Sequence, residues 1–386
     1  MVRAVLRVCN HGSVHEPLVS GTSTISAGTP MEAYDYGLPD SAIAQTPIEP
    51  RSAARLLIGP GLGGPATPER PTMAELPSLL GPGDVLVVND TRVLPARLRL
   101  VKATGGHAEV LLLEPVAGSS GRWEALVRPG RRLTSGTELF EPGPDEGPSG
   151  SPVVVIEERG GDDARGTRIV HLVDPTAVSR AGRLPLPPYI HETLDDPSRY
   201  QTVYSGQRPL EDRSAAAPTA GLHFTPELLE SCQDAGARVA RVDLAIGLDT
   251  FRPVTAATAE EHVIHTERFS VPDETVEACK GAERVIAVGT TAVRALETAA
   301  ATGRLSGRTD LYCYGDYPFR VVDVLVTNFH LPRSSLLLLV ESFCGPVWRQ
   351  LYARALDDGY RFLSFGDAMV VARHRPKATP SWGGSA

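Results

Sequence analysis

Val285-Ile286-Ala287-Val288-Gly289-Thr290-Thr291 is an unbroken apolar run that ends on a glycine and two hydroxyl residues. Such a run reads as a buried strand over Arg284 to Val288, the glycine lets the chain bend, and a helix is expected from Thr290 to Ala301. The same signals recur on either side. Val85-Leu86-Val87-Val88 is another continuous apolar strand, Val239 to Ile246 and Val321 to Thr327 read as strands, and Ser334 to about Ser342 reads as a helix. Strands alternating with helices imply an α/β layered domain, with its ligand-binding edge where strands end and helices begin.

Between these pieces the pattern changes. Short β-patterned runs at Ala96 to Val101, Ala108 to Leu113, Arg122 to Val127, Val153 to Glu157 and Arg168 to Leu172, with almost no helical periodicity, predict an inserted small β-barrel domain. The acidic Gly/Pro stretch Glu141 to Ser151 reads as a loop within it. The expected organisation is a flexible N-terminal extension over 1–32, a discontinuous α/β domain over 33–90 and 180–373, the barrel over 91–179, and a disordered tail over 374–386. Arg51 and Arg55 lie at helical i, i+4 spacing within Arg51 to Ile58, which reads as a solvated face or, less often, an anion-binding pair, and Met73 to Leu80 is expected to be a short helix.

The 386 residues carry a formal net charge of -8, which argues against indiscriminate polyanion binding but leaves room for a local basic patch. Five scattered cysteines, with no short paired spacing, suit reduced thiols and offer neither a zinc ribbon nor a disulfide framework. The most apolar run, Leu336 to Val340, is too short to span a bilayer, and Asn10 and His11 interrupt any signal-peptide core after Arg3 and Arg7. A cytoplasmic protein without membrane or metal partners is expected.

Several polar groups stand at strand or loop ends. Ser214 to Phe224 reads as a ligand-closing loop: small residues and Gly221 allow close backbone approach, while Thr219 and His223 add polar groups. Thr225 and Pro226 then start a helix. Gly289, Thr290 and Thr291 at a helix N-terminus favour a carboxylate or phosphate, and because this turn lacks the Gly-Lys-Ser/Thr of a P-loop and the Gly-x-Gly-x-x-Gly of a dinucleotide fold, ATP and NAD roles lose support. Arg294 and Glu297 fit a surface ion pair. Asn328 and His330 lie at another strand end, and Asn89-Asp90-Thr91-Arg92 at a third; His262, His265 and Glu267 form a further polar cluster whose spacing is not that of a zinc site. Ser364 to Met369 reads equally as a turn or a ligand contact.

Taken together, Leu38-Pro39 with Ile43-Ala44-Gln45, Asn89-Asp90-Thr91-Arg92-Val93, Pro185-Leu186-Pro187-Pro188-Tyr189-Ile190, Arg199-Tyr200-Gln201-Thr202-Val203-Tyr204, Ala217 to Phe224, Ala287-Val288-Gly289-Thr290-Thr291, Thr327 to Pro332 and Gly366-Asp367-Ala368-Met369 resemble, in order, the S-adenosylmethionine:tRNA ribosyltransferase-isomerases of queuosine biosynthesis. The resemblance covers roughly Tyr34 to Val371. It implies an α/β domain interrupted by a β-barrel, and transfer of the ribosyl part of S-adenosylmethionine to a 7-aminomethyl-7-deazaguanine in tRNA, with rearrangement to epoxyqueuosine and release of adenine and methionine. S-adenosylmethionine is then a co-substrate, and neither metal nor redox cofactor is required. That chemistry asks for a base at the acidified 5′ C–H, a donor at adenine, and charged partners for the methionine end. The candidates are His223 and His330 for proton transfer, Asp90 and Arg92 for orientation, and Thr219, Gly221, Gly289, Thr290, Thr291, Arg294 and Asn328 for binding the donor.

The chain also departs from the family pattern. Leu244-Ala245-Ile246-Gly247-Leu248-Asp249-Thr250-Phe251 has alanine where members usually carry an imidazole, and Asp249 where a glycine is usual. Glu192 replaces a usual arginine, and Gly315-Asp316 a usual Pro-Gly. These changes suggest a divergent paralogue, so a small-molecule acceptor, or a silent tRNA- or nucleoside-binding relative, stand as alternatives.

Overall fold

The computed structural model describes residues 28–62, 69–159, 167–247 and 253–382. Along the chain come β1 (Leu56–Ile58), β2 (Asp84–Asn89), β3 (Arg97–Lys102), β4 (His107–Pro115), β5 (Arg122–Arg128), β6 (Glu138–Pro142), β7 (Pro148–Arg159) and β8 (Thr167–Leu172). They are followed by β9 (Arg238–Leu244), β10 (Glu267–Ser270), β11 (Arg284–Val288), β12 (Ser306–Thr309), β13 (Val324–Asn328) and β14 (Ala368–Ala372). The helices are α1 (Thr176–Ala181), α2 (Pro226–Asp234), α3 (Asp273–Lys280), α4 (Thr290–Thr302), α5 (Ser335–Cys344) and α6 (Val347–Asp357).

The eight-stranded sheet runs β1-β14-β13-β11-β2-β9-β10-β12. Its centre, β13-β11-β2-β9, is parallel, with Val288 opposite both Val88 and Val326 and Asn89 opposite Val242. Four strand tips therefore finish on one edge. Alternation along these strands divides the core in two: Leu86, Val88, Ile286 and Val326 pack on one face with Phe224 and Leu228 of the α2 side, while Val85, Val87, Ala287 and Leu325 pack on the other with α4 and α5. Burial on both faces is why these segments read as unbroken apolar runs. Val293 and Leu296 of α4 are fully buried, each stabilising by about 1.5–3 kcal/mol.

After Asn89 the chain leaves the layered sheet and forms a second, antiparallel sheet, β3-β4-β5-β8-β7-β6, closed by pairing of Val101 and Lys102 with Phe140 and Leu139. Its interior is filled by Leu98, Leu100, Val110, Trp123, Ala125 and Val154. The strand expectations here hold in place, but Glu141 to Ser151 is not a loop throughout. Glu141 and Pro142 end β6 and Pro148 begins β7, joined by a hairpin in which the Gly143 N–H donates to the Gly147 carbonyl at 2.7 Å. Proline and glycine hid the pairing because both occupy the irregular, outer end of the ladder.

Other boundaries moved for identifiable reasons. The last strand before Asn328 starts at Val324, since the Val321 and Val322 N–H groups donate to the Glu297 carboxylate at 2.9 and 3.1 Å. β9 stops at Leu244 because Ile246 N–H turns to Ser214 Oγ at 2.8 Å. Arg51 and Arg55 do not share a solvated helix face: Arg51 sits in a one-turn 3-10 helix and donates to the Gln201, Leu222 and Ser198 carbonyls, while Arg55 lies just ahead of β1 with its guanidinium over the Tyr360 ring. Met73–Leu79 is a 3-10 helix started by a Thr72/Glu75 capping box.

The termini also differ from expectation. Met31, placed in the extension by sequence, is fully buried in the layered core, and its N–H bonds the Ala257 carbonyl at 3.0 Å. Beyond β14, Ala378 N–H bonds Phe319, Ser381 N–H bonds Ala300, and Trp382 packs on the core, so the tail is ordered through the described residues. Cys232, Cys279, Cys313 and Cys344 are buried free thiols, and burial pushes the thiols of Cys232, Cys279 and Cys344 up to about 12. No helix among the described residues is long and apolar enough to cross a membrane.

Candidate active site

The β11 to α4 turn is built around Gly289, whose φ of 87° and ψ of 154° lie where only glycine is comfortable, and whose N–H closes onto the Val326 carbonyl at 2.7 Å. Asn89, at the tip of β2, ties neighbouring elements to it: its amide donates to the Leu244 carbonyl at 3.0 Å and to Thr291 Oγ1 at 3.1 Å. At the tip of β13, Asn328 Oδ1 accepts from Thr219 Oγ1 at 3.0 Å, while its amide reaches the Leu363 carbonyl at 3.1 Å.

These groups enclose a small hollow of about 50 Å³ lined by Thr219, Gly289, Thr290, Thr291, Asn328 and His330, with Tyr189 and Ser364 bonded to each other at 2.8 Å on one side. Its volume suits one or two waters or a single polar substituent, given about 30 Å³ per water. His330 holds Thr327 Oγ1 at 3.0 Å through Nε2, donates its backbone N–H to Tyr352 Oη at 2.9 Å, and offers its carbonyl to the Tyr36 hydroxyl. Burial pushes the His330 imidazole down to about 3, so it is neutral in neutral solution.

A far larger cavity, about 740 Å³, adjoins this hollow; Ile246 and Leu336 line both. Small-molecule sites span about 300–1,000 Å³, so it has room for a nucleoside-sized ligand. It lies between the layered and closed sheets. One wall comes from the β9 exit at Ala245 to Gly247 with His262, His265, Glu267 and Arg294; the facing wall comes from Leu113, Glu114, Glu124 and Leu126 of the closed sheet. Glu267 and Arg294 form a buried ion pair, and Glu267 Oε1 also accepts Gly247 N–H at 3.0 Å. Arg294 Nε donates to the Leu311 carbonyl at 3.0 Å, whereas its Nη2 is buried with no hydrogen-bond partner among the described residues. Glu124 accepts from Thr167 Oγ1 at 2.7 Å.

The sequence-derived candidates thus divide. Thr219, Gly289, Thr290, Thr291, Asn328 and His330 share the small hollow, and Arg294 faces the large cavity. His223 lines neither. Its Nδ1 and Nε2 face the Ala220 and Gly366 carbonyls at 3.1 and 2.9 Å, pinning the loop to the Gly366 turn, and burial lowers its pKa. Gly221 also stands back: a Cβ there would come within 2.0 Å of the Tyr204 hydroxyl, so it serves close packing. Asp90 is engaged by Arg208, which also reaches Asp243 at 3.3 Å, and Arg92 lies beside Arg213; neither Asp90 nor Arg92 lines either cavity.

Arg294 and Glu297 are not a surface pair. Both are buried, and Glu297 instead accepts the backbone N–H groups of Arg320, Val321 and Val322 at 2.7 to 3.1 Å, with burial raising its pKa. Asp367 accepts the Arg55 and Arg361 backbone N–H groups at 2.9 and 2.8 Å, which makes the Gly366 stretch a turn. Among the described residues no group of three or more His, Cys, Asp or Glu is arranged to hold a metal ion. Asp249 lies outside the described residues. Arg213 and Glu124, both in the cavity wall, were missed by sequence reasoning; no local pattern marks them, since they meet the site only through the packing of distant strands.

Layered strand tips beside a closed sheet, with a polar hollow opening into a nucleoside-sized cavity, define an α/β ligand-binding protein of enzymatic type. The chain belongs to the queuosine biosynthesis protein family, whose model matches residues 31–371. It is 48% identical over 344 residues to the S-adenosylmethionine:tRNA ribosyltransferase-isomerase of Rubrobacter xylanophilus, covering 88% of this chain and 97% of that one. It is 46% identical over 353 residues to the protein of the same name from Moorella thermoacetica, covering 88% and 99%. A solved S-adenosylmethionine tRNA ribosyltransferase from Thermotoga maritima is 36% identical over 87% of this chain and 99% of its own, with a TM-score of 0.47.

Proposed function

We propose that the protein transfers and isomerises the ribosyl moiety of S-adenosylmethionine onto 7-aminomethyl-7-deazaguanine in tRNA, giving epoxyqueuosine and releasing adenine and methionine in the cytoplasm. The observation that carries this reading is near-full-length identity of 46–48% to ribosyltransferase-isomerases. The closed sheet is read as a small barrel domain set into the α/β chain, and the 740 Å³ cavity between the two as the donor and base site. The methionine carboxylate is assigned to the Thr290 and Thr291 N–H groups at the start of α4, where the helix dipole favours an anion. His330, neutral and buried, acts as a hydrogen-bond partner or proton acceptor in that form. Asn328 and Thr219 orient the donor beside it. Glu267 supplies a carboxylate toward the sulfonium side, with Arg294 holding it in place.

A second reading is favoured by one position. Ala245 lines the large cavity where the resemblance leads one to expect an imidazole, so an altered acceptor, including a small molecule, fits the same donor site. Incubation with S-adenosylmethionine, with and without tRNA bearing the aminomethyl base, separates these. Adenine and methionine release that depends on that tRNA supports the first reading; binding of S-adenosylmethionine with no release in its presence overturns it.

A further inference from the structure

One outer face of the closed sheet is lined with arginine. Leu98 and Leu100 point into the closed interior, so Arg97 and Arg99 face outward. Register puts Arg99 opposite Glu109 on β4, and Glu109 opposite Arg128 on β5. This single carboxylate is already bonded to Arg97 at 2.9 Å. Arg131 and Arg132 follow Arg128 in an exposed turn, and Arg183 exchanges backbone hydrogen bonds with Arg97 at 2.9 and 3.1 Å. Arg99, Arg128, Arg131, Arg132 and Arg183 are exposed and make no ion pair among the described residues.

The face runs into the large cavity. Glu124, Leu126 and Arg128 alternate outward along β5; the first two line the cavity, and Arg128 stands about 7 Å beyond Leu126 at ~3.4 Å per residue. In the cavity wall itself, the Arg213 side chain bonds, among the described residues, through Nε alone, to the Arg208 carbonyl at 3.2 Å. Arg92 lies beside it and lowers its pKa further after burial, with Glu211 offsetting part of that repulsion. On a chain of net charge -8, this cluster of guanidinium groups is a local positive surface whose charge complements a polyanion.

We propose that this arginine face binds the sugar-phosphate backbone of the RNA acceptor and leads its modified base into the large cavity. The inference rests on the reading that the acceptor is tRNA. Phosphate contacts position the substrate and base contacts in the cavity select it, so the two surfaces divide the task.

The test titrates the full-length protein with tRNA carrying the aminomethyl base, by fluorescence anisotropy between about 50 and 200 mM salt. The combined variant Arg128→Glu, Arg131→Glu, Arg132→Glu is expected to raise the Kd at least tenfold. It is also expected to reduce the slope of log K against log salt by about 2, at ~0.7–0.9 for each phosphate that is no longer neutralised. Arg354→Glu, on the exposed face of α6, serves as the control and leaves both unchanged. An unchanged Kd and slope in the triple variant, or an equal weakening in the control, overturns the proposal. Calorimetric binding of S-adenosylmethionine verifies folding; if the triple variant does not fold, the Arg→Gln series at the same positions must show the same direction of change. Wild-type protein that binds this tRNA without releasing adenine counts against the proposed function, whereas active wild type with indifferent variants counts against the arginine face alone.

Discussion

His330 couples the candidate site to stability because its imidazole is neutral by burial. Its folded-state pKa, about 3, lies below the unfolded value near 6.5, so the unfolded chain takes up the proton first as pH falls. The contribution of this group is therefore fully present above about pH 6.5 and is lost between there and about 3, at up to ~1.4 kcal/mol per pH unit. His330→Asn is expected to flatten that part of the profile in urea unfolding at pH 7, 5 and 4. His223, lowered by burial in the same direction, keeps part of the slope; an undiminished slope in the variant removes the assignment. Glu267 gives a second residue-level expectation. Glu267→Gln leaves the buried Arg294 guanidinium without its counter-charge and is expected to destabilise the protein by about 3–5 kcal/mol in denaturant unfolding. A change below about 1 kcal/mol would mean that Arg294 finds compensation elsewhere.

At the scale of elements, the β11 to α4 turn concentrates the backbone constraints. Gly289→Ala has space, its nearest new neighbour being Ala220 Cβ at 3.5 Å, so its cost is conformational: about 1–3 kcal/mol of stability. If the start of α4 holds the donor's carboxylate as proposed, the same substitution is expected to weaken S-adenosylmethionine binding in calorimetry, because relaxing φ reorients the backbone that leads into Thr290 and Thr291, both of which line the hollow. Affinity equal to wild type would dissociate the turn from the donor. This element was legible in the sequence because an apolar run, a glycine and hydroxyl residues are local signals of strand, bend and helix start. β10 and β12 were not legible: at four residues each they read as strands only beside partners far along the chain, as when Phe269 meets both Leu244 and Gly307. The same division holds in the site. Gly289, Thr290, Asn328 and His330 occupy strand tips that a pattern can locate, whereas the partners that hold His223 and Asp90 away from the hollow, Gly366 and Arg208, are fixed only by tertiary packing.

Across the whole molecule, the cavity exists because two sheets with separate cores face one another. The layered sheet brings Ala245, Glu267 and Arg294, and the closed sheet brings Glu124 and Leu126. Arg308 of β12 bridges to Glu114 of β4 at 2.9 Å, but the pair is largely exposed and contributes at most about 1 kcal/mol, whereas backbone hydrogen bonds at the exit from the layered sheet, Ser214 N–H to Arg92 and Leu94 N–H to Ser214, each at 2.8 Å, tie the connecting segments. Glu124 is consequently the group that tests whether the closed sheet takes part in catalysis. Its carboxylate is held by Thr167 and reaches the cavity without an arginine partner among the described residues, which suits it to the aminomethyl group of the acceptor base or the ammonium of the donor. Glu124→Gln preserves shape and the Thr167 hydrogen bond but removes the charge. It is expected to raise the KM of one substrate by about 10- to 100-fold, the loss of one charge-assisted hydrogen bond of about 1.5–3 kcal/mol, while unfolding stability changes by less than about 1 kcal/mol. A rise confined to tRNA places the acceptor amine against the closed sheet, and a rise confined to S-adenosylmethionine places the methionine end there instead, against the assignment to α4. If neither KM moves, the closed sheet shapes the cavity without touching either substrate through this carboxylate.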